Sequence, residues 1–232
     1  MEKRNFVLIL SVSFILGCVI LALGMGNITK SERTISVRGL AEKEVSADLA
    51  VWKVSFSLGG NDLPTLKKDI LDKTEIVIQF LKEKGLDESD YSVLSPEIND
   101  TTVNIYLDSS RRQYNYIVKQ SILVRSNKVM EVKKANANTL ELLGKGVSVS
   151  SDYDNKVGYE FTGLNEIKPE MIATATKNAR LAAEQFARDS GSEVGKIITA
   201  TQGLFSIESA AVGLEEKKNV RVVTTIVYSL ND

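Results

Sequence analysis

Apolar and polar residues recur along this chain with two different periods, and the points where one period replaces the other mark its elements. The opening stretch follows neither. Residues 6–28 carry no charge, and the apolar part, residues 6–25, has about the 20 residues that a membrane-spanning helix needs. A period of two begins at Ile35 and Val37, which alternate with polar neighbours up to Gly39. Residues 42–44 read as a charged bend, and Trp52, Val54, Phe56 and Leu58 then share one face of a half-buried strand. Gly59 and Gly60 end that strand. Asn61 or Asp62 is placed to cap the next element, and Pro64 suits a first helical turn because it has no amide hydrogen to lose. Leu63, Leu66, Ile70, Val77 and Leu81 follow helical spacing until Gly85 permits a left-handed stop.

The period of two returns in a second pair of strands. Val103, Ile105 and Leu107 alternate, residues 108–112 turn the chain, and Tyr114, Tyr116, Val118, Ile122 and Val124 alternate back as a long hairpin. Pro96 cannot donate to a ladder, so residues 92–100 read as an edge, a bulge or a connection, with two shorter strands as one outcome. Val129, Val132, Leu140 and Leu143 predict a second helix ending near Gly144, followed by short strands at 147–150 and 157–161. A third helix is expected over 169–190, with Ile172, Ala175, Ala179, Ala182 and Phe186 inward and Gly191 at its end. Final strands at 196–206 and 220–228 flank an exposed loop of small and charged residues. Strands with intervening helices but no regular alternation predict an α+β fold, with about three amphipathic helices on largely antiparallel sheets. Residues 29–232 form this part, as one body or as two α+β subdomains.

Lys3 and Arg4 precede the apolar run, and a mixed-charge domain follows it. This asymmetry leaves the short end in the cytoplasm and places the domain outside it. The expected localisation is therefore the bacterial cell envelope, with residues 1–28 as an anchor or uncleaved signal and the membrane as a partner through residues 6–25. Three fates of the segment compete. Its length favours retention. Ala22 and Gly24 around Leu23 form a small-x-small site whose cleavage would release the domain to the periplasm. Cys18 ends a stretch, Ile15-Leu16-Gly17-Cys18, that resembles a lipoprotein box, but the apolar run continues past it, and a small apolar side chain in a membrane helix is the plainer reading.

Composition narrows the chemistry. Lys and Arg total 29 against 30 for Asp and Glu, so no charge excess draws this chain to nucleic acid. There is no histidine, and Cys18 is the single cysteine, which excludes Ser-His-Asp and Cys-His catalysis, histidine-ligated metal, zinc-cysteine clusters and an intrachain disulfide. Carboxylate, Lys, Tyr, Ser or Thr chemistry survives. The acidic groups Glu42 with Glu44, Asp87, Glu88 and Asp90, and Asp152 with Asp154, match no metal-binding motif and read as solvated turns; no cofactor is expected. Gly59-Gly60 and Gly144 with Gly146 lack a phosphate-loop or dinucleotide fingerprint. Candidate protein contacts are Tyr114, Tyr116 and Tyr159, whose rings combine apolar area with a hydroxyl that tolerates exposure, and the loop of Ala210, Ala211 and Gly213. Core packing competes for the tyrosines.

The order of motifs carries a resemblance. Ile35-Ser36-Val37-Arg38-Gly39, then Ala47-Asp48 leading into residues 51–58, is similar to the opening of the SIMPL-domain family of bacterial envelope proteins. The likeness continues through the helix closing at Gly85, Tyr114-Asn115-Tyr116, the helix closing at Gly144, and Ala179-x3-Ala183-x2-Phe186-Ala187-x3-Gly191-x3-Gly195-Lys196-Ile197. Departures lie in the anchor, where many members have a cleaved signal peptide, and at Gln113, where glycine often precedes the tyrosine. The resemblance implies an α+β fold in a secreted or anchored protein of the oxidative-stress-defence or periplasmic-immunogen type, some of whose relatives form ring-like or channel-like oligomers. It implies no settled biochemical activity. Two functional classes follow: a non-enzymatic envelope module that self-associates or binds other proteins through sheet edges, tyrosines and the late loop, or an envelope enzyme or small-ligand protein using carboxylates with Tyr or Lys. The second class requires a concave pocket with convergent ionisable groups.

Overall fold

A computed structural model of the protein describes residues 14–19, 33–103, 113–150, 152 and 155–231. In chain order the elements are β1 (Thr34–Ser46), β2 (Leu49–Gly60), α1 (Leu63–Glu83), β3 (Tyr91–Val93), β4 (Glu97–Asp100), β5 (Tyr116–Ser126), α2 (Val129–Ala137), α3 (Leu140–Gly144), β6 (Gly158–Glu160), α4 (Leu164–Asp189), β7 (Glu193–Gln202), β8 (Ser206–Ser209) and β9 (Lys217–Asn231). One sheet has the order β1-β9-β7 with β8 also on β9, and the other has the order β3-β5-β2-β6 with β4 also on β5. The fold is α+β, with antiparallel sheets. Contacts divide the chain into two compact units, and β1, α4 and β9 each contribute residues to both.

The unit of Ala41–Ala173 and Leu204–Val222 is built on the long β2–β5 pairing, in register from Ala50 opposite Ser126 to Gly60 opposite Tyr116. Because side chains alternate across a strand, Trp52, Val54 and Phe56 of β2 lie with Val118, Ile122 and Val124 of β5 in one core. Leu66, Ile70, Val77, Phe80 and Leu81 of α1 cover it, together with Val129, Val132 and Ala135 of α2 and Leu142 of α3. Burying each large apolar side chain contributes about 1.5–3 kcal/mol. Asp62 caps α1, its carboxylate accepting the Thr65 amide at 3.0 Å, and Gly85 at φ +90 lets the chain leave. Asp48 fastens the other end of the unit. Its carboxylate accepts the Thr162 and Gly163 amides at 2.8 and 3.0 Å while its own amide donates to the Glu160 carbonyl at 2.9 Å, tying the bend after β1 to the start of α4.

The other unit contains the first part of β1, β7, the last part of β9 and most of α4. Ala179 and Ala183 of α4 lie on Val37 of β1 and on Ile226 and Tyr228 of β9. Gly39 permits this close approach, since a β-carbon on it would fall 1.8 Å from the Ala175 carbonyl oxygen.

Several boundaries differ from expectation. β1 runs straight through the charged residues 42–44, whose alternation fits an amphipathic strand, and the bend comes at Ala47 and Asp48. Leu63 is exposed, while Thr74 and Phe80 join the inward face of α1. Tyr91–Val93 and Glu97–Asp100 form two short strands on either side of Pro96, both paired to β5, so β4 supplies the hairpin arm expected at Val103, Ile105 and Leu107. Of those three residues, Ile105 and Leu107 lie outside the described residues, and Val103 is exposed in a bend. The second helix breaks at Asn138 and Thr139, which changes its phase: Leu142 turns inward while Leu140 and Leu143 are exposed. α4 begins at Leu164 with Pro169 inside it, and its buried residues are Met171, Ala175, Ala179, Ala183 and Ala187 rather than Phe186, which is 58% exposed. β8 occupies part of the expected loop.

Candidate interaction surface

The edge of the β1-β9-β7 sheet is set by local geometry. β7 pairs with β9 through shifts between Val194 and Ile197 and between Ile197 and Thr199, then runs regularly, Thr199 opposite Val227 and Gln202 opposite Thr224. The Gly203 amide donates to the Val223 carbonyl at 2.8 Å, which fixes the phase of the ladder. In an antiparallel pair the hydrogen-bonded residues alternate, so Thr201 and Thr199 bond inward to β9, and the amides and carbonyls of Ala200 and Gln202 point away from it. Among the described residues no strand lies beyond β7. Its residues from Lys196 to Gln202 are exposed on both faces, Ile197 at 52% and Ile198 at 48%. Lys196 and the bulges blunt the first half of this edge, whereas residues 199–202 carry no charge, proline or bulge.

The tyrosines separate into two places. Tyr116 opens β5 opposite Gly60 and packs on the core, and the Tyr114 ring lies so close to Gly59 that a β-carbon there would come within 2.2 Å of its Cδ2. Tyr159, opposite Ala50, stands at the far end of β2, about 33 Å away along an extended strand. Ala210, Ala211 and Gly213 form the exposed tip of the β8–β9 hairpin, where Ala210 donates to the Lys217 carbonyl and Gly213 adopts φ +86. The same tip carries Glu215 and Glu216 to Tyr159. Burial first, and then the Glu216 and Glu215 carboxylates, push the Tyr159 hydroxyl pKa above its usual value. Along the first half of α1, Leu63 and Leu71 join Val93, Leu94 and Ile98 around an apolar groove of about 730 Å³.

Four of the acidic candidates are paired with cations. Glu42 pairs with Arg221, Glu88 with Lys82, and both Asp87 and Asp90 with Lys128. Asp154 lies outside the described residues. Among the described residues no three His, Cys, Asp or Glu side chains are grouped to hold a metal ion. Most of the expected anchor also lies outside them; residues 14–19 are helical, with Cys18 exposed. No helix of the described residues is long and apolar enough to cross a membrane. The strand expected at 196–206 is β7, carried by the β-prone run of Ile197, Ile198, Thr199 and Thr201, but its place at the edge depends on sheet order, which local periodicity does not reveal.

No curated protein matches this chain. The SIMPL family model, described as a protein of unknown function (DUF541), matches residues 35–228, from the first alternating pair of β1 to Tyr228 in the core of β9. The chain belongs to the SIMPL family.

Proposed function

We propose that this SIMPL protein is a non-enzymatic module of the bacterial cell envelope, tethered by residues 6–25 with residues 29–232 on the extracytoplasmic side, and that it works by associating with further copies of itself along β7. The observation that carries this reading is a ten-residue strand that, among the described residues, is paired on one side only and is exposed on both faces from Lys196 to Gln202. Unpaired strand amides and carbonyls are a template for another strand. Two copies of one edge meet antiparallel about a two-fold axis, and the neutral stretch 199–202 opposes no like charges when they do. A membrane tether raises the effective concentration of such edges. The non-enzymatic part of the reading is supported by the lack of histidine in the chain and of cysteine in residues 29–232. A link to envelope or oxidative-stress defence rests on resemblance.

Light scattering on the full chain in detergent, over a concentration series, tests this reading against the variant Ala200→Pro. Proline there removes an outward amide and spares the β9 ladder. The expected result is a discrete oligomer for the parent and a monomer for the variant. A parent that is monomeric at every concentration, or a variant that assembles equally, overturns it.

A further inference from the structure

The unit of Ala41–Ala173 and Leu204–Val222 carries the apolar groove of about 730 Å³, lined by the first half of α1, the strands β3 and β4 and part of β5. Leu66 and Ile70 of α1 and Val118 of β5 are its buried floor. Leu63 and Leu71 on the helix side and Val93, Leu94 and Ile98 on the strand side form its rims and are exposed, Leu71 at 58% and Ile98 at 61%. Large aliphatic side chains left in water around one concavity of this size mark a binding groove. No aromatic residue lines it, and the amide of Gln120 is already engaged, Nε2 donating to the Leu94 and Ser121 carbonyls at 2.7 and 3.1 Å.

Lys67 is the one charged residue of the lining and supplies an independent observation. On a helix the residues three and four positions away are neighbours, and for Lys67 these are Leu63, Pro64, Ile70 and Leu71, so α1 offers it no carboxylate. β4 offers none either. Ile98 faces the groove, so Glu97 faces away in the alternation of the strand, and the Asp100 carboxylate accepts from the Thr102 amide and hydroxyl at 2.8 and 2.6 Å. Asp62, before the helix, is held in the same way by Thr65. Among the described residues Lys67 makes no hydrogen bond or ion pair. A lysine so placed lays its stem along the apolar rim and keeps its ammonium group in water. The groove therefore complements an aliphatic body that carries one negative charge.

We infer that this groove binds a single-chain aliphatic carboxylate, the chemistry of a free fatty acid. The alkyl chain lies on Leu66, Ile70 and Val118 between the two rims, and the carboxylate accepts from the Lys67 ammonium group at the water's edge. Leu63 and Leu71 stand about 12 Å apart along the axis of α1, a run that suits one extended chain. Aliphatic walls give a planar ring nothing to stack on. Neither the β7 edge nor self-association enters this site.

The full chain, isotope-labelled at its Leu, Val and Ile methyl groups, is held in neutral maltoside micelles at constant detergent concentration and followed by NMR. It is titrated with decanoate, with decanol, which lacks the charge, with decyltrimethylammonium, which reverses it, and with phosphatidylglycerol, an anion with two chains. Free concentrations are corrected for partition into protein-free micelles. Saturable shifts of the Leu63, Leu71, Val93 and Ile98 methyls with decanoate, and at least fivefold weaker binding of the other three ligands, support the inference. So does a fivefold loss of decanoate affinity in Lys67→Gln with decanol unchanged. Lys67 is exposed, so this variant keeps the fold. No saturable shift at these methyls, equal affinity for decanoate and either decanol or decyltrimethylammonium, or an unchanged affinity in Lys67→Gln overturns it. Phosphatidylglycerol binding there as tightly as decanoate also overturns it, and would assign the groove to a lipid surface.

Discussion

A β-carbon added to Gly39 would fall 1.8 Å from the carbonyl oxygen of Ala175. The obstacle is backbone, as is the Ala179 amide nitrogen at 2.5 Å, so no side-chain rotation relieves it. The close approach of α4 to β1 depends on this contact, and it explains why Ala175 and Ala179 are small.

Gly39→Ala is therefore expected to destabilise the fold by about 1–3 kcal/mol, the usual cost of overpacking. Urea denaturation of the full chain in detergent reads this as a lower midpoint at unchanged slope. A midpoint equal to that of the parent would show that the helix can back away from the strand at no cost.

Asp48 satisfies the Thr162 and Gly163 amides at the entrance to α4. Hydrogen bonds to a charged group are worth about 1.5–3 kcal/mol, so Asp48→Ala should lower the same midpoint by that order, and Asp48→Asn, which keeps one acceptor, by less. Equal losses in the two variants would mean that the carboxylate acts by something other than these two bonds.

Stability should fall in acid through two carboxylates. Lys133, as a hydrogen-bond partner, holds Glu216 below its usual pKa, with help from the Glu216 backbone amide. Burial works against ionisation of Asp90, but the Asp87 amide, the Ser126 hydroxyl and Lys128 outweigh it and hold that group low as well. A folded-state pKa below the unfolded value of about 4 contributes stability in full above that value and loses it as pH falls through the folded pKa. Thermal melts from pH 7 down to pH 2 should show this loss. Lys133→Met should narrow it, being less stable than the parent at pH 7 and converging with it at pH 2. A constant difference across the range would contradict the assignment.

How much of this was legible in the sequence differs from element to element. The face shared by Trp52, Val54 and Phe56, the Asp62 cap and the stop at Gly85 depend on neighbours within a few residues, and periodicity finds them. The break at Asn138 was hidden because the spacing from Val132 to Leu140 and Leu143 suits one continuous helix. α4 inverted the usual weighting: hydrophobicity favours Phe186 inside, whereas the contact with Gly39 admits only alanine, a condition set by a residue far away in the chain. The candidate residues follow the same rule. Tyr159 and the late loop stand out locally, but their meeting through Glu215 and Glu216 needs β6 beside β2.

The claim that β7 is an assembly edge is tested most directly by amide hydrogen exchange, residue by residue, on the full chain in detergent at low and high protein concentration. Thr199 and Thr201 donate inward to β9 and should be protected at both. The account predicts that the Ala200 and Gln202 amides, which face outward, exchange fast when dilute and gain protection as concentration rises. Fast exchange at Ala200 and Gln202 at every concentration, with Thr199 and Thr201 protected throughout, would contradict it.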